Sequence, residues 1–247
     1  MSVQLFDHEP IPVLDEDEQL FLTEKGYRFV ELLAEYPFVG LFSIGESLVA
    51  IKRDFTVQHE YDIAIQLLER APTANISRPL TVLRSGIPND AEYLVLENVP
   101  GVPLSELALL ENRDPVVVTR FINMMHQIVD LLAVSGLRHG DLHFGNILTN
   151  DNLETFTIID FDLSTIYARP DQRTCPVWLD IESLLTRLYE SHNFFPEAVR
   201  DLIEKLTQRD SRDVRGFKSL TLFEDVSYCR ELIGLVRDDL LKFTRDH

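Results

Sequence analysis

The feature that most narrows the folds open to this 247-residue chain is a change in the period of its apolar residues near residue 100. Before it, apolar residues come in short, strand-like runs. FVGLFS, a turn at IGES and LVAIKR (38–53) read as a hairpin, and LTVLRSG (80–86) and EYLVLE (92–97) as two strands joined through GIPND. Helical spacing appears in HEYDIAIQLLER (59–70), and in EDEQLFLTEKGYRFVELLAEY (16–36), which predicts one or two N-terminal amphipathic helices broken only at Gly26. Beyond NVPGVP the strands nearly vanish. DPVVVTRFINMMHQIVDLLAVSG (114–136) is a long apolar-faced helix, and NILTNDNLETFTIID (146–160) is one hairpin turning at Asn150–Asn152. LDIESLLTRLYESH, PEAVRDLIEKLTQR and SYCRELIGLVRDDLLKFT are helical. A strand-rich part joined by a Pro/Gly linker to a helical part predicts an α+β chain of two lobes, 1–98 and 99–247, with a ligand cleft between them.

Composition removes several function classes. With 45% apolar residues the chain can bury a substantial core. Its formal net charge of -18 leaves no broad basic surface for nucleic acid or anionic lipid. No apolar run approaches the roughly 18 uncharged residues that would suggest a bilayer span, so no membrane partner is expected. Cys175 and Cys229 form no disulfide framework, and MSVQLFDHEPIPVLDEDEQ lacks the basic and apolar regions of a signal peptide. The expectation is a cytoplasmic protein, or one acting in a host cytosol if it is a secreted effector.

The chemistry concentrates in RHGDLHFGNILTN (138–150), where His139, Asp141, His143 and Asn146 are threaded on glycines ahead of a short strand. Three readings compete. The loop is simply polar, its histidines satisfying backbone groups. Alternatively, the alternating His139, Asp141 and His143 face one metal ion, although the other histidines (8, 59, 126, 192 and 247) form no partner motif. In the third reading the loop transfers a phosphoryl group, which requires a carboxylate to accept a hydroxyl proton, with an amide and a second carboxylate nearby to hold magnesium. Asp141, Asn146 and Asp160 suit those roles, and the 146–160 hairpin brings the last two together.

HGDLHFGN resembles the protein-kinase catalytic loop H-R-D-L-x-x-x-N, and IIDFDLS resembles its D-F-G segment. LVAIK (48–52) is similar to the strand that carries the ATP-contacting lysine. HEYDIAIQLLER is similar to the regulatory helix, YLVLENVPGVPLSEL to the hinge, and DIESLLTRLYE (180–190) to a helix reading D-I-W-S-L-G-x-x-L-Y-E. The motifs stand in the family's order over residues 40 to 191. The resemblance implies a two-lobed, protein-kinase-like ATP- and magnesium-dependent phosphotransferase. Lys52, paired with Glu60, would hold the α/β-phosphates, and the backbone of Glu97 and Val99 would contact adenine beside Leu96. Asn146 and Asp160 would bind magnesium, and Asp141 would be the catalytic base. His143 would replace the family's loop lysine and offer a hydrogen bond to the γ-phosphate. His139 would pack under the DFD turn, and Asp180 would accept hydrogen bonds from the loop backbone near His139 and Gly140.

Departures from the pattern refine the expectation. Only Gly40 and Gly45 stand where a G-x-G-x-x-G phosphate lid is expected. The H-R-D arginine is Gly140, so switching by loop phosphorylation is not expected. Only nineteen residues lie between Asp160 and Asp180, without A-P-E. HGDLHxGNIL with DFD resembles aminoglycoside-type small-molecule kinases, whereas the compact stretch from Glu97 to Asp141 and VPGVPLS resemble small bacterial effector kinases. The leading expectation is a minimal Ser/Thr protein kinase with a protein substrate. A small-molecule kinase and a pseudokinase that acts by binding are the alternatives.

Overall fold

A computed structural model describes residues 14–86, 91–107, 114–167, 177–190, 201 and 222–242. The chain forms two compact units, one of Met1–Asp62 with Ser77–Asn98, the other of Ile63–Ile76 with Val99–His247. The first hundred residues are therefore shared between them.

In the first unit, helix α1 (Glu16–Glu24) opens on a capping box. The Asp15 carboxylate accepts from the Glu18 N–H at 2.9 Å, and Glu18 Oε2 from the Asp15 N–H at 3.0 Å. Strands β1 (Arg28–Ala34), β2 (Phe38–Ile44), β3 (Ser47–Arg53), β4 (Pro79–Arg84) and β5 (Glu92–Glu97) form an antiparallel sheet in the order β1-β2-β3-β5-β4. The helical reading of 16–36 is thus corrected. The helix stops before Gly26, which has φ +90°, and RFVELLA is a strand. Two bulges in the pairing of β1 with β2, between Phe29 and Glu31 and between Leu32 and Ala34, explain the misleading pattern. Each bulge resets the alternation. Phe29 and Leu32, three apart as on a helix, both pack on the core, while Val30 and Leu33 stay exposed.

The core of this unit joins Phe21 and Leu22 of α1 to Phe38, Phe42, Val49, Ile51, Tyr93 and Val95 of the sheet. Gly40 belongs to this packing. A Cβ there would lie 2.8 Å from Phe42 Cε2 and 2.9 Å from Phe38 Cζ. Gly45, at φ +60°, makes the tight β2–β3 turn.

Helix α2 (Val57–Arg70) begins in the first unit, and its residues from Ile63 onward count with the second. The second unit holds α3 (Pro115–Ser135), α4 (Val177–Glu190) and α5 (Leu222–Lys242). Its short strands are β6 (Val102–Pro103), β7 (Leu137–Arg138), β8 (Ile147–Thr149), β9 (Phe156–Ile158) and β10 (Thr165–Ile166). They pair as β6-β8-β9 and as β10-β7. Asp114 caps α3, accepting from the Val116 N–H at 2.7 Å, and Gly136 at φ +65° ends it. By length and composition α3 could cross a membrane, contrary to the sequence expectation, because its charges are few. Its apolar face is instead the centre of this unit's core, with Phe121, Met125, Ile128 and Leu132 against Ile181, Leu184, Ile233 and Val236. PEAVRDLIEKLTQR lies outside the described residues, apart from Asp201.

Candidate active site

The residues singled out in the sequence fall into two groups, one on each unit. In the first unit, strand alternation puts Lys52 on the sheet face opposite Ile51. Its Nζ lies 2.8 Å from Glu60 Oε2, with 4% and 3% of the two side chains exposed. Only eight residues separate the two. The pair forms because α2 starts at Val57, four residues after β3 ends, so that Glu60 lies in the first turn of the helix. Burying two opposite charges at hydrogen-bond distance keeps each from being an uncompensated charge. Glu97 ends β5, opposite Val49 of β3, and its N–H donates to the Arg78 carbonyl at 2.9 Å. Leu96 is half-buried, and Val99 is the first residue of the second unit's main segment.

In the second unit the quoted loop is held by buried groups beneath it. Asp180, 3% exposed, sits in the first turn of α4. Its Oδ2 accepts from the His139 N–H at 2.8 Å and its Oδ1 from the Gly140 N–H at 3.0 Å. Burial pushes the Asp180 carboxyl above its ordinary value, while those two N–H donors pull it back towards the carboxylate. His139 is fully buried, and burial lowers its pKa. Its Nε2 stands 3.1 Å from the Ile159 carbonyl and its ring 5.1 Å from that of Phe161. A carbonyl can only accept, so the neutral ring carries its proton on Nε2. Ser164 Oγ donates to the His139 carbonyl at 2.8 Å. Gly140 has φ +86°, and a Cβ there would sit 2.5 Å from the Leu163 carbonyl oxygen. The position usually occupied by arginine is closed to side chains.

The end of the loop that carries Asp141 and His143 is more open. Asp141 and His143 expose 40% and 24% of their side chains, with His143 Nε2 3.6 Å from Asp141 Oδ2. His143 Nδ1 accepts from the Gly145 N–H at 2.9 Å, which places its proton on Nε2, towards Asp141. A Cβ on Gly145 would come within 2.7 Å of the His143 ring, so the glycine lets the imidazole fold back over the turn. Asn146, 6% exposed, donates from Nδ2 to the Asp141 carbonyl at 3.0 Å. That bond occupies Nδ2 and leaves Oδ1 as the side chain's acceptor, an oxygen of the kind a hard cation takes. The Ile159 N–H donates to the Asn146 carbonyl at 3.0 Å, and Ile147 pairs with Ile158. The hairpin therefore sets Asp160 beside Asn146. Asp160 has φ +68°, a left-handed conformation costing a non-glycine residue roughly 1–3 kcal/mol.

This geometry weighs against the metal-hydrolase reading, because His139 turns to Ile159 and His143 to Gly145, and their rings do not converge on one point. Among the described residues no three His, Cys, Asp or Glu side chains form a metal cage. A magnesium ion needs less, since one or two protein oxygens suffice when phosphates supply the others. Asn146 and Asp160 fit that requirement.

Sequence reasoning overlooked two anchors. Glu18, 5% exposed, accepts from Tyr93 Oη at 2.9 Å and from Arg53 Nε at 2.8 Å, fastening α1 to β3 and β5. The capping-box spacing of Asp15 and Glu18 was its available signal. Arg70, which bonds the backbone at the end of α3, leaves no sequence signal beyond its place in the last turn of a helix.

The fold is protein-kinase-like. Residues 89–183 match the ABC1 atypical kinase-like domain, a span that contains the quoted loop, Asp160 and Asp180. Among solved structures the chain is similar to the kinase PK-1 of Cydia pomonella granulovirus. The two are 17% identical over 88% of this chain and 69% of that one, with a TM-score of 0.51, a likeness of fold. No curated protein matches the sequence.

Proposed function

We propose that this chain is an ATP- and magnesium-dependent phosphotransferase, a minimal Ser/Thr protein kinase that works without activation-loop phosphorylation. The observation that carries the reading is the tie between three residues: Asn146 Nδ2 on the Asp141 carbonyl at 3.0 Å and the Ile159 N–H on the Asn146 carbonyl at 3.0 Å. Phosphoryl transfer needs a base and two metal-holding oxygens in fixed relation. Asn146 Oδ1 and the Asp160 carboxylate would hold magnesium, which when bound neutralises phosphate charge. Lys52, oriented by Glu60, would hold the α/β-phosphates, and the backbone of Glu97 and Val99 would take the adenine. Asp141 orients the acceptor hydroxyl and accepts its proton. His143, with its proton on Nε2, would donate a hydrogen bond to the γ-phosphate.

For the acceptor, the short stretch between Asp160 and Asp180 and the lack of an inserted helical pocket before the loop support a folded protein, which brings its own shape and area. The test is incubation with γ-labelled ATP and magnesium, followed by acid precipitation and thin-layer separation of the soluble fraction. Label should appear on Ser or Thr of this protein or of a partner protein, and Asp141→Asn should lower its rate by about 10²–10⁴. Label confined to a new soluble product would establish the small-molecule alternative. No transfer despite nucleotide binding would establish the pseudokinase.

A further inference from the structure

The stretch that carries Asp160 grips His139 of the loop at several points within the second unit. The Ile159 carbonyl stands 3.1 Å from His139 Nε2, and the Phe161 ring lies 5.1 Å from the imidazole. Ser164 Oγ donates to the His139 carbonyl at 2.8 Å. Phe161 and Ser164 are each only 1% exposed. The Ser164 N–H donates to the Phe161 carbonyl at 3.1 Å, so residues 161–164 make a turn whose two ends both touch His139.

These contacts continue a strand register. The Tyr167 N–H donates to the Gly136 carbonyl at 3.0 Å, Ile166 pairs with Leu137, and Thr165 pairs with Arg138. The next positions in that antiparallel register are Ser164 opposite His139, then Leu163 opposite Gly140. At the first of them the serine hydroxyl supplies the bond that joins the two segments. At the second, a Cβ on Gly140 would lie 2.5 Å from the Leu163 carbonyl oxygen, so only a glycine lets the turn lie against the loop. On its other side the same piece of loop is fixed by Asp180, which accepts from the His139 and Gly140 N–H groups.

We propose that Ser164 is a positioning residue. Its buried hydroxyl closes the 160–164 turn onto His139 and thereby keeps the Asp160 carboxylate in fixed relation to Asp141, two residues along the loop, with Gly140 as the bare position that permits the approach. This deepens the phosphotransferase reading, and only the magnesium readout below rests on it.

The test compares the full chain with Ser164→Ala, which removes the donor, and Gly140→Ala, which parts the same two segments from the opposite side. Residue-resolved amide hydrogen exchange should quicken by about 5-fold at positions 161–167 in both variants, the scale of one lost hydrogen bond, with the α3 amides unchanged. Calorimetric affinity for Mg-ATP should fall by a similar factor in Ser164→Ala, while affinity for ATP in excess EDTA stays at the wild-type value, because Asp160 acts through the metal. Unchanged exchange at 161–167, or exchange raised equally in α3, would overturn the proposal, as would equal weakening of Mg-ATP and metal-free ATP. If one variant does not fold, the other decides on the same readouts. If the wild type shows no preference for Mg-ATP over metal-free ATP, the functional reading falls, and exchange alone decides whether Ser164 holds the turn to the loop.

Discussion

Lys52 and Glu60 in the first unit form a closed pair, each side chain less than a twentieth exposed. In the second unit Asp141 and His143 remain substantially open, and rigidity comes from residues below them: Asp180, His139 and Asn146 are buried and bond mainly backbone. On the proposed reading, a charge that only holds a ligand can be desolvated once it has a partner, whereas a carboxylate that receives an incoming hydroxyl stays accessible and takes its fixed position from its neighbours.

The largest stability effect should come from breaking the closed pair. Glu60→Ala removes the carboxylate that faces the buried Lys52 ammonium, and denaturant unfolding should register a loss of about 3–5 kcal/mol. The double variant Lys52→Met, Glu60→Leu should regain most of it. Equal losses in single and double variants would mean that packing, not charge, governs this region.

A smaller effect should follow Asp180→Asn, which leaves one of the His139 and Gly140 N–H groups without its acceptor. We expect a loss of about 1–3 kcal/mol, together with a fall in turnover larger than any change in nucleotide affinity. Affinity falling in step with turnover would show that Asp180 supports the whole unit and not the loop alone.

Much of this contrast was legible in the residue string. The second unit's site is a contiguous motif followed by a tight hairpin, so local spacing already places Asp141, Asn146 and Asp160 together. Lys52 and Glu60 were legible as types, but their contact depends on where α2 starts. The strand at Arg28–Ala34 was misread because its bulges space Phe29 and Leu32 as a helix would. Gly40 stands where a phosphate-lid glycine is expected, and its packing against Phe38 and Phe42 adds a structural use that no local pattern shows. Arg70 and Ser164 bond backbone carbonyls distant in sequence, and such contacts carry no local pattern.

The smallest effect is a pH slope. Burial lowers the pKa of His139 from 6.5, so just below that pH the unfolded chain binds the more protons and stability falls as pH falls. Asp180, raised from 3.8 by burial, gives the opposite slope: above 3.8 the folded chain holds the more protons, and stability falls as pH rises towards its folded pKa. His139→Asn should therefore flatten the acid-side loss below pH 6.5 by up to about 1.4 kcal/mol per pH unit. His126, also lowered by burial, leaves a residual slope. Unfolding measured between pH 5 and 7.5 reads it, and an unchanged slope would show that His139 does not remain neutral in the fold.

The division of labour between Asp160 and Asp141 is tested most directly by calorimetric titration of Mg-ATP into wild type, Asp160→Ala and Asp141→Asn. Wild type should bind, Asp160→Ala should bind much more weakly, and Asp141→Asn should match wild type in affinity, because in the proposed function its carboxylate would act only once an acceptor hydroxyl arrives. Absence of binding to the wild type, or equal weakening in both variants, would contradict the account.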